Sequence, residues 1–595
     1  MSKLSATTDR TAQLLAACVS AVFLLSGVAY LCLGHWTATH QDFWRIYDVC
    51  LNHTWFESAL LKHNGHSLFF PSLIWLADLR FFHGNQHLLF YIGLTLMCVA
   101  AGLLLIPVWY DKTVDVTAKM MATLVVTMGT FWMGRAHITA SGGFNCNVSL
   151  MMAGAEASFI LLPSMRLHST WYGAATLAVI AGGFLASFSF SAGLATWPVL
   201  LLLAWCLRLP WRSVALVTVA AITAAIVFLL LPSPSPASAA LHALGISFSS
   251  PSIEFSYLCR LLSAPIFYAA SAWRATSSAA GPVQSSLFVL IFGMIAFVVA
   301  MGEIVYSLIR RDLATSSLRL IGIALVSFNL IAIGLVVIGR SEHFRVLPFE
   351  VAAPRYFFHS TLFWIGVLLV AIQRTGSTRW LRWPVYILAL SASVLAFPSH
   401  YKAGVHWKRA AQRSQAAAIA LVNAVRDDQQ IRILAPAEGM NWVYRVSEQM
   451  RSRRLDMFAE GLQDWIGLGE SDLFDGRHKR TRLRGQCRIT ATVSSNDGKP
   501  AARVVGMAWA DGKAVPKTLV IVDSGGVICG VARSSAIAPF ADRIFYLNKF
   551  ARNMGFLGYI RDYDPQKQYA IRCADREALS DEKIVVPPVS TPPSS

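Results

Sequence analysis

The sequence predicts a polytopic α-helical membrane protein with a C-terminal soluble α+β region, and three observations lead there. Of the 595 residues, 55% are hydrophobic and only 14% are charged, against roughly a quarter charged in soluble domains. The charge is unevenly spread: Asp, Glu, Lys and Arg are sparse through residue 400 and rise to roughly soluble frequency beyond it. Apolar runs near the ~20 residues a membrane helix needs recur through the first part, whereas short runs of period two separated by turn residues fill the last.

The first run, Ala12 to Leu33, follows Lys3 and Arg10. Its core exceeds a signal-peptide h-region and it has no small-x-small cleavage site, so it reads as a retained helix with a cytoplasmic N-terminus. Further runs lie near 86–108, 116–135, 145–164, 170–187, 190–207, 213–232, 283–308, 317–339, 357–373 and 382–398, giving about eleven crossings. The connections holding Lys112 and Lys119, Arg166, Arg208 and Arg212, Arg310, Arg311 and Arg319, and Arg374, Arg379 and Arg382 are short and basic. The positive-inside rule puts them in the cytoplasm. Outer loops at about 35–85, 233–282 and 340–356, and everything beyond residue 400, then lie outside, which in a bacterial inner membrane is the periplasm.

The expected organisation is a transmembrane domain over 1–400, a helical connector over 401–480, a small β-sandwich over 481–580 and a disordered tail over 581–595. In the connector, Trp407 to Asp427 and Trp442 to Met457 have helical spacing. Strands are expected over Cys487 to Ser494, Ala502 to Trp509, Thr518 to Val522, Val527 to Ala532, Gly558 to Tyr563 and Gln568 to Cys573. Asn496-Asp497-Gly498, Asp511-Gly512 and Ser524-Gly525-Gly526 are the turn signals between them. The net charge of +18 sits largely in membrane-flanking loops, so anionic lipid headgroups explain it better than nucleic acid.

Cys18, Cys32, Cys98 and Cys206 lie in apolar runs and read as small buried hydrophobes. Cys487 and Cys573 flank the strand-rich part, where an oxidising compartment would permit a bridge, with Cys529 left over. No CxxC, HExxH or Cys/His cluster is present, which leaves a structural metal without support.

The first outer loop is the chemically rich stretch. Asp42 follows the first helix by about eight residues, near the outer surface, and can serve as a general base toward a hydroxyl nucleophile. The alternative is that it caps a juxtamembrane helix from Phe43 to His63. Asp48 and Glu57 fit the polar face of that helix; His63, His66 and Trp44 are candidates for substrate contact or support. A second cluster, Gly339-Arg340, Arg345 and Pro354-Arg355-Tyr356, suits bidentate phosphate binding. Its alternative is interface anchoring, with Tyr356 in an aromatic belt and Arg355 snorkelling.

A polytopic chain with an acidic residue early in the first outer loop and a soluble outer C-terminal domain resembles the GT-C glycosyltransferases, in particular bacterial cell-envelope members that use polyprenyl-phosphate sugars. The resemblance rests on His63-Asn64-Gly65-His66 ahead of Phe69-Phe70-Pro71, on Phe190-Ser191-Ala192-Gly193-Leu194-Ala195-Thr196-Trp197-Pro198, and on the Gly339-Arg340 to Arg355-Tyr356 loop. Gly506-Met507-Ala508-Trp509 and Val522-Asp523-Ser524-Gly525-Gly526 are similar to a β-domain appended to such enzymes. The chain departs from the pattern at Gly65, where an acidic residue is expected, and at Ser67, where a basic one is. The resemblance implies transfer of a sugar from a polyprenyl-phosphate donor to a glycan or glycolipid acceptor. Asp42 would be the base, and Arg355 and Arg340 would hold the donor phosphate; a divalent cation could share that task. Three other classes compete: a transporter, disfavoured because the apolar runs hold few charges; a noncatalytic glycan-binding or scaffold protein; and an oligosaccharide polymerase or ligase.

Overall fold

The computed structural model describes residues 3–166, 170–233, 251–273, 287–376, 378–435, 439–473, 483–510, 515–535, 554–575, 578–579 and 583–587. The expected Asp511-Gly512 turn and about half of the expected 233–282 loop fall outside them. The chain forms two compact units. The first comprises Met1–His35, Trp55–Trp75 and Leu89–Trp407; the second comprises Trp36–Thr54, Leu76–Leu88 and Lys408–Ser595. In this division two segments from the region of the expected first outer loop group with the residues beyond Trp407.

The first unit is helical. Eight of its helices are long and apolar enough to cross a membrane: Thr7–Gly34, His87–Tyr110, Val116–Thr139, Gly142–Ser164, Trp211–Leu230, Leu287–Arg310, Ser317–Val346 and Pro354–Thr375. The chain is thus a multi-pass membrane protein. Of the other three expected crossings, two are the shorter apolar helices Tyr172–Ser187 and Ser191–Cys206. The last, 382–398, is the start of a helix that continues unbroken over Arg382–Val422 and absorbs the expected Trp407 to Asp427 helix. Part of the expected 233–282 loop is also a helix, Pro251–Ser271, whose Leu261 and Leu262 pack with Ala296, Val326 and Phe363.

Helices in lipid gain nothing from hiding apolar area among themselves, so close approach through small residues holds them together. A β-carbon on Gly182 would lie 2.6 Å from the Gly154 carbonyl oxygen, and one on Gly366 would lie 2.8 Å from that of Gly322. Polar side chains fasten one end of the bundle. Asp111 accepts from Ser316 Oγ (2.6 Å) and Leu318 N (2.8 Å); Arg382 reaches Asp9 (2.9 Å) and Asp115 (3.1 Å); and Arg311 lies over Trp205 at 3.6 Å. These are the chain ends that the basic-loop pattern groups together. Cys206 is buried, but Cys18, Cys32 and Cys98 are exposed, which corrects their reading as buried hydrophobes.

In the second unit the strands are β1 (Val425–Arg426), β2 (Arg484–Ser495), β3 (Pro500–Trp509), β4 (Thr518–Asp523), β5 (Ile528–Ser535), β6 (Gly555–Arg561), β7 (Tyr569–Asp575), β8 (Ala578–Leu579) and β9 (Ile584–Val586). They form one antiparallel sheet in the order β1-β2-β3-β6-β5-β4-β7-β8, with β9 added to β7. A two-sheet sandwich is therefore not what the described strands build. Instead Cys487 Sγ on β2 donates to the Val585 carbonyl on β9 at 3.6 Å. The far strands of the order thus approach around a core of Val504, Ile521, Phe556, Ile560 and Ile571. β9 also puts order into what the Pro/Ser-rich composition marked as a tail. Cys487 and Cys573 line this core, with the less buried Cys529 packed against it, and no disulfide joins Cys487 to Cys573, so the expected bridge is absent.

A buried charged knot joins the sheet to the residues before it. Asp427, 3% exposed, takes Arg503 Nη1 at 3.1 Å and the Tyr559 hydroxyl at 2.8 Å, and it caps the Asp428–Leu434 helix through Gln430 N.

Candidate functional site

The sequence His63-Asn64-Gly65-His66 folds as a two-residue turn. His63 N donates to His66 O and His66 N to His63 O, both at 2.9 Å, while Asn64 and Gly65 have φ of +50° and +76°. Left-handed backbone at both central positions is the type I′ turn, for which Asn-Gly is the favoured pair. The glycine that breaks the expected acidic pattern is thereby explained by the backbone.

This turn presents His66 to a second stretch that carried the resemblance. His66 stacks on Phe190 with ring centroids 4.4 Å apart, and its Nδ1 hydrogen-bonds the Ser191 hydroxyl. Burial, with the Arg340 and His63 charges nearby, pushes the His66 imidazole down to about 4. At neutral pH it is an uncharged hydrogen-bonding group. His63 is buried, edge-on to Trp75 at 6.1 Å.

The third stretch closes the cluster. The last turns of the Ser317–Val346 helix carry Arg340, His343 and Arg345; basic groups there complement the helix C-terminus. Arg345 pairs with Glu342 at 2.7 Å, both exposed. Arg355, on the short Pro354–Tyr356 turn, pairs with Glu350 at 2.6 Å and lies 3.3 Å from His343 Nε2. Arg340 is exposed and makes no ion pair among the described residues. Tyr356 packs under Arg355, 5.1 Å from ring centroid to guanidinium, and meets Phe344 edge-on. Its hydroxyl is buried without a hydrogen-bond partner. One end of the helical unit therefore gathers Arg340, Arg355, neutral His66 and the Ser191 hydroxyl: a donor-rich, net cationic surface with chemistry suited to an anion.

Two functional candidates escaped the sequence reading. Arg135 and Glu156, inside membrane-spanning helices, are 2% and 0% exposed. Arg135 lies 4.9 Å over the Phe358 ring. Its Nε and Nη1, and both Glu156 carboxylate oxygens, have no hydrogen-bond partner. The available signal was a charge within an apolar run, which in a membrane marks function by default.

Asp42 and Trp44 belong to the second unit, apart from the residues above in the division of the chain. The expected Phe43 to His63 helix is two: Phe43–Asn52 and Trp55–Leu60. Asp42 occupies the N-cap position but has helical φ and ψ and no capping side-chain bond. The first turn is held by its carbonyl, which accepts from Arg45 N and Ile46 N. The carboxylate is therefore not consumed by the N-terminal cap. Trp44 is 1% exposed and is core packing, so direct substrate contact by its ring is not what this structure offers. Asp48 is committed to an ion pair with Arg445. No group of three or more His, Cys, Asp or Glu side chains suited to a metal occurs among the described residues.

Compared with known protein families, curated proteins and solved structures, the chain matches none.

Proposed function

We propose that this membrane protein is a glycosyltransferase that moves a sugar from a polyprenyl-phosphate donor to a cell-envelope glycan or glycolipid. The observation that carries the reading is the meeting, at one end of the helical unit, of the His66 turn, Phe190-Ser191 and the Arg340 to Tyr356 segment. In the proposed reaction an acceptor hydroxyl oxygen bonds to the anomeric carbon as the bond from that carbon to the carrier phosphate breaks. The hydroxyl proton passes to a carboxylate, a part proposed for Asp42 from its place in the sequence alone, and the released phosphate takes the bonding electrons. Arg340, unpaired among the described residues, and Arg355, which can exchange Glu350 for phosphate, stabilise the charge developing on the leaving group. His66 and Tyr356 contribute neutral hydrogen bonds. A divalent cation could neutralise the same phosphate.

The reading is tested by sugar transfer in vesicles containing the purified full chain and a polyprenyl-phosphate sugar. Asp42→Asn is expected to abolish transfer while donor binding persists; full activity in that variant sinks the proposed base. Arg340→Ala is expected to weaken donor binding by about 1.5–3 kcal/mol, the range for a hydrogen bond to a charged group.

Arg135 and Glu156 favour one second reading, a transport function, because buried intramembrane charges mark ion and proton paths. Under it Glu156→Gln would stop solute or proton flux into vesicles; under the transferase reading no such flux exists to lose.

A further inference from the structure

The Arg382–Val422 helix runs beside the first membrane-spanning helix, Thr7–Gly34, and in the same direction. Arg382 pairs with Asp9 at 2.9 Å. Further along, Phe397 and His400 meet Phe23 with ring centroids 6.3 and 4.9 Å apart, and a β-carbon on Gly404 would lie 2.5 Å from the Tyr30 ring. The stretch from Ile387 to Leu395 therefore lies at the depth of a helix that crosses the membrane. Ile387 and Val394 are 59% and 60% exposed, and at that depth what they face is hydrocarbon.

Between this stretch and Trp273, just past the Pro251–Ser271 helix, is a groove of about 380 Å³ lined by Trp273, Ile387, Leu390, Ser391, Val394 and Leu395. The indole N–H of Trp273 donates to the Leu395 carbonyl at 3.1 Å, which leaves Ser391 as the polar side chain of the lining. The groove follows the helix from residue 387 to 395, roughly 12 Å at the helical rise, against the ~15 Å that the chains of one leaflet occupy.

A cation stands at the end of this groove. Lys402 is exposed, and its ammonium donates to the carbonyl of Ala272, the residue before Trp273. Ile387, Ser391, Leu395 and Lys402 follow one another at helical spacing, so they share one face of the helix. An ammonium has three donors and no acceptor, so it holds the carbonyl and an anion together. The Arg382–Val422 helix contains no Asp or Glu to neutralise it. The face is thus apolar within the membrane and cationic beyond it. A free anion would leave the groove unfilled, an uncharged lipid would make no use of Lys402, and a peptide would find too few polar partners for its backbone.

We propose that this groove seats one chain of an anionic phospholipid, with the phosphate against Lys402. The lipid packs where Trp273 and Lys402 already fasten the end of the Pro251–Ser271 helix to the Arg382–Val422 helix. The site is independent of the transferase reading, since none of its residues is placed in that reaction.

Trp273 supplies the probe. The full chain and its Trp273→Phe variant are placed in phosphatidylcholine vesicles containing rising fractions of either phosphatidylglycerol or phosphatidylcholine brominated on its chains. The difference in tryptophan quenching between the two proteins isolates the groove. Brominated phosphatidylglycerol is expected to reach Trp273 with about fivefold higher relative affinity, from the attraction of one lysine for an anionic lipid. Lys402→Gln, introduced into both proteins, is expected to bring the two lipids to parity. Equal quenching by both lipids in the unmodified chain marks ordinary boundary lipid and overturns the proposal, as does a preference that survives Lys402→Gln. Should that variant not fold, salt decides: screening at about 1 M is expected to remove the preference, and a preference that salt leaves unchanged overturns the site.

Discussion

Gly65 shows how a single residue can mislead a pattern and still make physical sense. By sequence it is a departure from an acidic motif; at φ +76° it is what lets the turn place His66 against Ser191. Substitution should therefore harm geometry first. Gly65→Val forces a β-branched residue into left-handed backbone and should cost about 1–3 kcal/mol, while Gly65→Asn should be nearly neutral. Thermal unfolding of the purified protein checks both, and equal melting temperatures for the two would remove the turn as the reason for the glycine. Asp42 sits at the opposite extreme. Its type and place in the loop suggested a base, and the structure adds that its carboxylate makes no N-terminal capping bond to the helix that follows.

Among the elements, the C-terminal strands were the most legible. Period-two alternation and turn residues located β2 to β7 to within a few residues, although only β2 alternates in burial and β3, β4 and β6 are buried along nearly their whole length. Pairing order was not legible, since the same alternation serves a sandwich or a single curled sheet. The charged knot under the sheet illustrates a further limit. Asp427, Arg503 and Tyr559 are far apart in sequence and each looks like surface polarity, yet they satisfy one another in the interior. Asp427→Ala would leave Arg503 buried and unpaired, and a loss of about 3–5 kcal/mol is expected, read from denaturant unfolding by tryptophan fluorescence. A change under about 1 kcal/mol would mean that the knot is solvated in solution. Helices behaved alike: long apolar runs were found, but the expected helices at 382–398 and Trp407 to Asp427 gave no sign of being one, because Pro398 and Gly404 at the join are both poor helix formers.

At the scale of the whole molecule, the basic loops predict which helix ends share a side, and ion pairs and polar contacts gather residues 9, 111–115, 312–319 and 382 at one end of the helical unit. Single cysteines introduced at Asn64 and at Val346, both exposed, in a background with the native cysteines removed, should react with a membrane-impermeant thiol reagent added to intact cells. One at Lys112 should react only after permeabilisation. The reverse pattern would invert the orientation and move the proposed transfer site to the cytoplasmic face.

The sequence by itself determined that this chain enters a membrane many times and ends in strands, because transfer of apolar surface from water and the two side-chain periodicities are local properties of composition and spacing. Only the tertiary structure decided that the first outer loop is shared between two units, that three separated motifs meet around His66, and that Arg135, Glu156, Asp78 and Asp456 are buried. Each of these depends on contacts between residues tens or hundreds of positions apart, whose effect on burial and charge no single stretch of sequence contains.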